Sequence, residues 1–143
     1  FFFFFLMIRR PPRSTLFPHT TLFRSTTADL DWTNKRSRTT REMTDKTFRP
    51  AITGKVENME QYDTVYVGFP IWWYVAPTII NTFLESYDLA GKTVVPFATS
   101  GGSGMGRTNT ELEQSCKGAR LKEGKRFNIN VKEAELKTWA DQF

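Results

Sequence analysis

Two short blocks of this chain carry residue types that could do chemistry. The first, Pro70-Ile71-Trp72-Trp73-Tyr74, ends an apolar, β-branched run with a stiff turn and three aromatic side chains. Aromatic faces of that kind stack on a planar heterocycle. The second, Thr99-Ser100-Gly101-Gly102-Ser103-Gly104, follows another apolar run thirty residues on. Its glycines let backbone N–H groups come close to a ligand, and its hydroxyls add hydrogen-bond donors. Taken singly, each block has an ordinary reading: aromatics that cap a core, and a flexible turn after a strand. Taken together on neighbouring strand ends, they form two walls of a slot for a flat ring. The glycine block is not a Walker-type phosphate loop, because no Gly-Lys-Ser/Thr follows it. Its glycines at 101, 102, 104 and 106 also miss the Gly-x-Gly-x-x-Gly spacing.

Other chemistries are excluded by what is missing. Cys116 is the single cysteine, so no internal disulfide forms and a reducing compartment, the cytoplasm, is expected. Its placement in a helical stretch four residues after Leu112 reads as a small hydrophobe rather than a redox centre. The single histidine, His19, lies in an atypical N-terminal stretch, which removes His-dependent triads and zinc sites from the rest of the chain. The net charge of +5 suggests an anionic partner until its origin is traced. Arg9, Arg10, Arg13 and Arg24 fall among residues 1–25 with no acid, leaving +1 from Thr26 onward. Lys and Glu are mixed along that remainder without a basic, aromatic-studded patch, so neither nucleic acid nor a membrane is an expected partner.

Residues 1–25 behave differently from the rest. Seven of the 13 phenylalanines fall there without helical or strand period, and the opening apolar run is far shorter than a bilayer span. Arginines follow that run instead of preceding it, unlike a secretory signal. The stretch resembles translated sequencing-adapter read-through, so it is set aside as extraneous or disordered, and the domain is drawn at residues 26–143.

The elements that must position the two blocks are legible from periodicity. Thr64 to Phe69 lacks clean alternation, the pattern of a strand covered on both faces. From Ala76 the period becomes helical: Pro77 suits a first helical position, and Ile80, Phe83, Leu84 and Tyr87 share one face. Thr93 to Ala98 is a second covered strand, in which Pro96 removes one ladder donor and marks a bulge or local edge. Arg107 to Cys116 reads as a helix and Ala119 to Phe127 as a short strand broken at Gly124. Val131 to Phe143 closes the chain with a helix carrying Leu136, Trp139, Ala140 and Phe143 on one face. Upstream, Thr33 to Met43 is expected to form a short surface helix anchored by Trp32, and Lys55 to Tyr62 a helical turn. This alternation implies an α/β domain with a parallel sheet, and ligands in such sheets bind beyond the carboxyl ends of the strands.

The blocks Tyr62 to Pro77 and Phe97 to Gly104 resemble the bacterial flavodoxin-like branch of the flavodoxin family, over about Ala28 to Ala140. The resemblance implies an open five-stranded parallel sheet in the order 2-1-3-4-5, non-covalent FMN, and electron transfer to a redox partner protein. It places Pro70, Ile71, Trp72, Trp73 and Tyr74 along one side of the isoalloxazine ring, with Trp72 or Trp73 against it. Thr99, Ser100, Gly101, Gly102 and Ser103 become the second flavin loop. Judged by the resemblance, Thr64 to Phe69 is the third strand, so the first two strands and the first helix are lacking. With them goes the hydroxyl-rich loop that grips the FMN phosphate in the family. The edge of the third strand is then expected to lie open. The aromatic block also has no glycine between Pro70 and Tyr74, where many members flip a peptide on reduction. FMN binding by this chain is accordingly expected to be impaired. Two alternatives share the fold: an NAD(P)H-dependent FMN quinone or azo reductase, and a cofactor-free interaction scaffold.

Overall fold

The computed structural model describes residues 5–9, 17–19, 26–52 and 54–143, the first two segments by backbone alone. Its centre is a parallel pair. Strand β3 (Thr64–Pro70) runs beside β4 (Thr93–Thr99) in continuous register, from Thr64 opposite Thr93 to Pro70 opposite Thr99. All seven residues of β3 are buried. One face of the pair, with Val65, Val67, Phe69, Val94 and Ala98, packs in a common core with Ile79, Ile80, Phe83, Leu84 and Leu112. These come from α2 (Thr78–Glu85) and α3 (Thr108–Glu113). The other face, with Tyr66, Val95 and Phe97, packs against α4 (Glu133–Ala140) through Trp139, Ala140 and Leu136. Burial on both sides is why these strands lack alternation.

Pro96 sits where the expected local edge appears. The residues of β4 that face away from β3 are the even-numbered ones, since the Val94 carbonyl accepts from the Lys122 N–H at 2.8 Å. On that side the neighbouring strand is split into β5 (Arg120–Leu121), paired with Thr93 and Val94, and β6 (Lys125–Phe127), paired with Phe97 to Thr99. Pro96 has no N–H to offer, and it falls opposite the break.

Helix α1 (Arg38–Thr44) is shorter than the expected Thr33–Met43, because Ser37 caps it by accepting from the Thr40 N–H at 3.2 Å. Trp32 does not anchor it: the indole is 68% exposed, and the helix is held by its own buried Thr39, Glu42 and Met43. Pro77 stands one position earlier than expected, as the residue preceding α2 rather than its first. The turn expected over Lys55–Tyr62 is a single 3₁₀ turn, Met59–Gln61.

The N-terminal stretch corrects one expectation. The edge of β3 is not open: β1 (Phe5–Arg9) pairs with it antiparallel, from Phe5 opposite Gly68 to Arg9 opposite Thr64. Strand β2 (Phe17–His19) adds antiparallel to β1, giving the order β2-β1-β3-β4 followed by β5 and β6. Side-chain period failed to reveal β1 because edge pairing is made by backbone groups; an unpaired N–H and C=O row accepts any extended segment that reaches it. A chain beginning at Thr26 leaves that row uncovered. It should elute as concentration-dependent oligomers and melt at a lower temperature than the full chain, as measured by light scattering after size exclusion and by circular dichroism. A monomeric truncation of equal stability would show that β1 contributes nothing.

Candidate functional site

Both blocks lie at the carboxyl edge of the β3–β4 pair and are joined directly, the Ile71 N–H donating to the Thr99 carbonyl at 3.1 Å. Pro70 closes β3 and is buried, and Ile71 is half-buried. Beyond it the chain turns sharply: Trp72 and Val75 exchange both backbone hydrogen bonds, at 2.9 and 3.0 Å. The two residues between them, Trp73 (φ +45°) and Tyr74 (φ +68°), are both left-handed. This is the arrangement of a two-residue type I′ turn, ordinarily built from Asn and Gly. Bulky residues there cost on the order of 1–2 kcal/mol each and persist only when the surroundings over-determine them.

Two contacts do so. The Tyr74 carbonyl accepts from the Arg107 N–H at 3.0 Å, just past the glycine block. Gly106, itself at φ +54°, lets that carbonyl in: a Cβ at Gly106 would lie 2.2 Å from the Tyr74 oxygen. On the other side, the Trp72 indole is buried with Met43, Val75 and Leu30. Met43 belongs to α1, which is tied to α2 by its neighbour Glu42. That carboxylate is fully buried, pairs with Arg38, and accepts from the Thr78 hydroxyl at 3.0 Å and the Ile79 N–H at 3.3 Å. Pro77 makes no side-chain cap, so Glu42 caps α2 from outside the helix.

The consequence is a division of labour within the block. Trp72 is structural, whereas Trp73 and Tyr74 are 51% and 64% exposed and present their rings to the outside. At the same sheet edge, the backbone N–H groups of Gly101, Gly102, Ser103 and Gly104 make no hydrogen bond among the described residues. Nothing lies within 4 Å of where a Cβ would stand at Gly101, Gly102 or Gly104, so space as well as donors is available. Thr99 is exposed, and the half-buried Ser100 hydroxyl is spent on the Ser103 carbonyl. Exposed rings and a run of free donors on one edge fit the ring portion of a flavin.

The phosphate end does not fit. In the family a loop after the first strand lies at this edge, but β1 runs antiparallel. Its start, Phe5, lies beside Gly68, and its end, Arg9, lies at the opposite edge beside Thr64. Strand β1 thus ends at the sheet edge opposite Trp73.

A cavity of about 700 Å³ borders the glycine block on its other flank, lined by Thr99 to Gly101, Arg126 to Val131 and Glu135. Residues 126–131 were not singled out in the sequence because they carry no motif; the pairing of β6 with β4 brings them there. Cys116 is buried in the main core, and desolvation pushes its thiol up to about 11, so it stays protonated near neutrality. No group of three or more potential metal ligands, and no helix long and apolar enough to cross a membrane, occurs among the described residues.

A sequence model of the flavodoxin family matches residues 15–143. Among solved structures, a protein of Bacteroides eggerthii provisionally designated a flavoprotein is 50% identical, with 82% of this chain and 74% of that chain covered and a TM-score of 0.71. A Bacteroides uniformis protein with the same provisional designation is 45% identical, with 85% and 76% covered and a TM-score of 0.74. A flavoprotein of Lactobacillus acidophilus, solved in complex with FMN, shares the fold at 20% identity, 69% and 63% coverage and a TM-score of 0.50. No curated protein matches. The α/β sheet with its two loops at the carboxyl edge defines a flavodoxin-like flavoprotein fold. This chain belongs to the flavodoxin family.

Proposed function

We propose that this protein is a cytoplasmic flavodoxin-like electron carrier whose aromatic turn and glycine block hold the ring of FMN, exchanging electrons with a partner protein. The observation that carries this reading is the pair of exposed rings, Trp73 and Tyr74, held left-handed at the same edge as four backbone donors that have no partner among the described residues. The FMN complex of the Lactobacillus acidophilus neighbour supports the choice of flavin. Bound flavin supplies one-electron chemistry; the protein supplies orientation, exclusion of water and local electrostatics. Trp73 and Tyr74 give stacking surface, and the donors of Gly101 to Gly104 face the polar edge of the ring. Trp72 acts indirectly, by seating the turn on α1.

Because the described part of β1 brings no hydroxyl-rich loop to the edge beside Trp73, FMN and riboflavin should bind this chain with affinities within about threefold of each other. Loss of the stacking face in Trp73→Ala should weaken both by about tenfold, the equivalent of about 1.4 kcal/mol. Quenching of flavin fluorescence during titration measures all three. The reading fails if neither compound is quenched. Steady-state NAD(P)H oxidation by the flavin-loaded protein alone would instead favour a reductase, since a carrier needs a separate one.

A further inference from the structure

The cavity on the far flank of the glycine block has a feature that the flavin reading leaves unused. Arg126 and Glu135 both line it, yet neither forms an ion pair or a side-chain hydrogen bond among the described residues. Arg126 is half-buried, and its guanidinium offers five donors with no acceptor beside it among the described residues. Asn128 and Asn130 border the same space with side-chain amides that are likewise unengaged among the described residues. The apolar part of the lining comes from Phe127, Val131 and Ile129, the last 89% exposed. About 700 Å³ lies within the range of small-molecule sites, roughly 300–1,000 Å³.

We propose that this cavity is a second binding site, for a small organic anion with an apolar body and a hydrogen-bond donor remote from its charged end. The anionic group meets Arg126, the body lies along Ile129 and Val131, and the donor faces Glu135. The amides of Asn128 and Asn130 satisfy what remains. An inorganic anion would use Arg126 and be repelled by Glu135; a hydrocarbon would use neither. Two opposite charges that line one cavity without pairing select a two-ended ligand.

The test uses the full chain without flavin, so its outcome is independent of the FMN titration. 4-Hydroxybenzoate, with benzoate and phenol as one-ended controls, is titrated while backbone amide resonances are followed. Saturable shifts confined to Ser100, Gly101 and residues 128–131 are expected, with 4-hydroxybenzoate binding tighter than either control. Arg126→Gln should weaken binding about tenfold or more, the size of a charge-assisted hydrogen bond. Glu135→Gln, on an exposed position of α4, should weaken 4-hydroxybenzoate without weakening benzoate. Non-saturating or scattered shifts, or affinities indifferent to both substitutions, would overturn the assignment.

Discussion

Glu42→Ala is expected to lower the stability of this protein by about 3 kcal/mol, because it removes the fully buried carboxylate that pairs with the Arg38 guanidinium. The wild-type carboxylate is fully buried and has three tasks: it pairs with Arg38 and accepts from the Thr78 hydroxyl and the Ile79 N–H. Burial disfavours the charged form of Arg38, and Glu42 is the main group that offsets it. Removing Glu42 therefore costs the cap of α2 and the counter-ion together. At this chain length the loss corresponds to a fall in melting temperature of roughly 10 °C. Replacing both partners with apolar residues, Arg38→Met with Glu42→Leu, should recover the part of the deficit due to the lost counter-ion and leave the part due to the lost cap of α2. The thermal melts of the two variants decide the matter. A single variant within about 2 °C of wild type would mean that the pair contributes little. The exposed bridge between Arg49 and Glu85 is the useful contrast. The hydrogen bond from Arg49 holds the Glu85 carboxyl below its ordinary range. Its contribution is thus present above the unfolded carboxylate pKa and fades as pH falls through the lower folded value. Both side chains are solvent-accessible, so that contribution is small.

Gly106→Ala should disrupt the site more than the fold. The added Cβ would meet the Tyr74 carbonyl oxygen at 2.2 Å and the Tyr74 Cβ at 2.8 Å, on a backbone already at φ +54°. The oxygen is main chain and cannot swing aside as a side-chain tip could. Either the turn moves and gives up its bond to the Arg107 N–H, or Gly106 leaves its left-handed conformation. Both routes displace Trp73 and Tyr74 from the glycine block. A stability loss of about 1–3 kcal/mol is expected, together with roughly tenfold weaker flavin quenching. Gly101→Ala is the control: open space surrounds its would-be Cβ and its backbone is not left-handed, so stability should change by less than about 0.5 kcal/mol. Urea denaturation of the pair gives the comparison, and flavin titration of Gly106→Ala is read against wild type. Equal stability of the two variants would show that the aromatic turn is not held through Gly106.

How much of this was readable beforehand varies with the kind of signal. Ile80, Phe83 and Leu84 were placed on one face by spacing, and all three are buried in the core. Trp139 and Ala140 behave likewise, and Tyr66 reaches across to the Ala140 carbonyl at 2.6 Å. Local period reports on the face an element buries, and these elements bury one stripe each. Trp32 shows the limit: a lone aromatic in a polar stretch has no period, and this one is left exposed. Glu42 was invisible for a related reason. A single carboxylate in a short polar helix looks like a solvated face until α2 is packed against it.

The amino-acid order by itself determined the parallel strand pair, the helices that cover it, and the presence of an aromatic and a glycine-rich loop at one sheet edge. Those follow from hydrophobic period and turn chemistry, which act over a few neighbouring residues. Only the tertiary structure decided which tryptophan faces outward, because that depends on Met43, Leu30 and a left-handed turn bolted to Gly106. It also decided that β1 covers β3 in the antiparallel sense, so that β1 ends at the edge opposite the ring site. Backbone pairing between distant segments leaves no local trace in side-chain order, so direction and neighbour emerge only when the chain closes on itself.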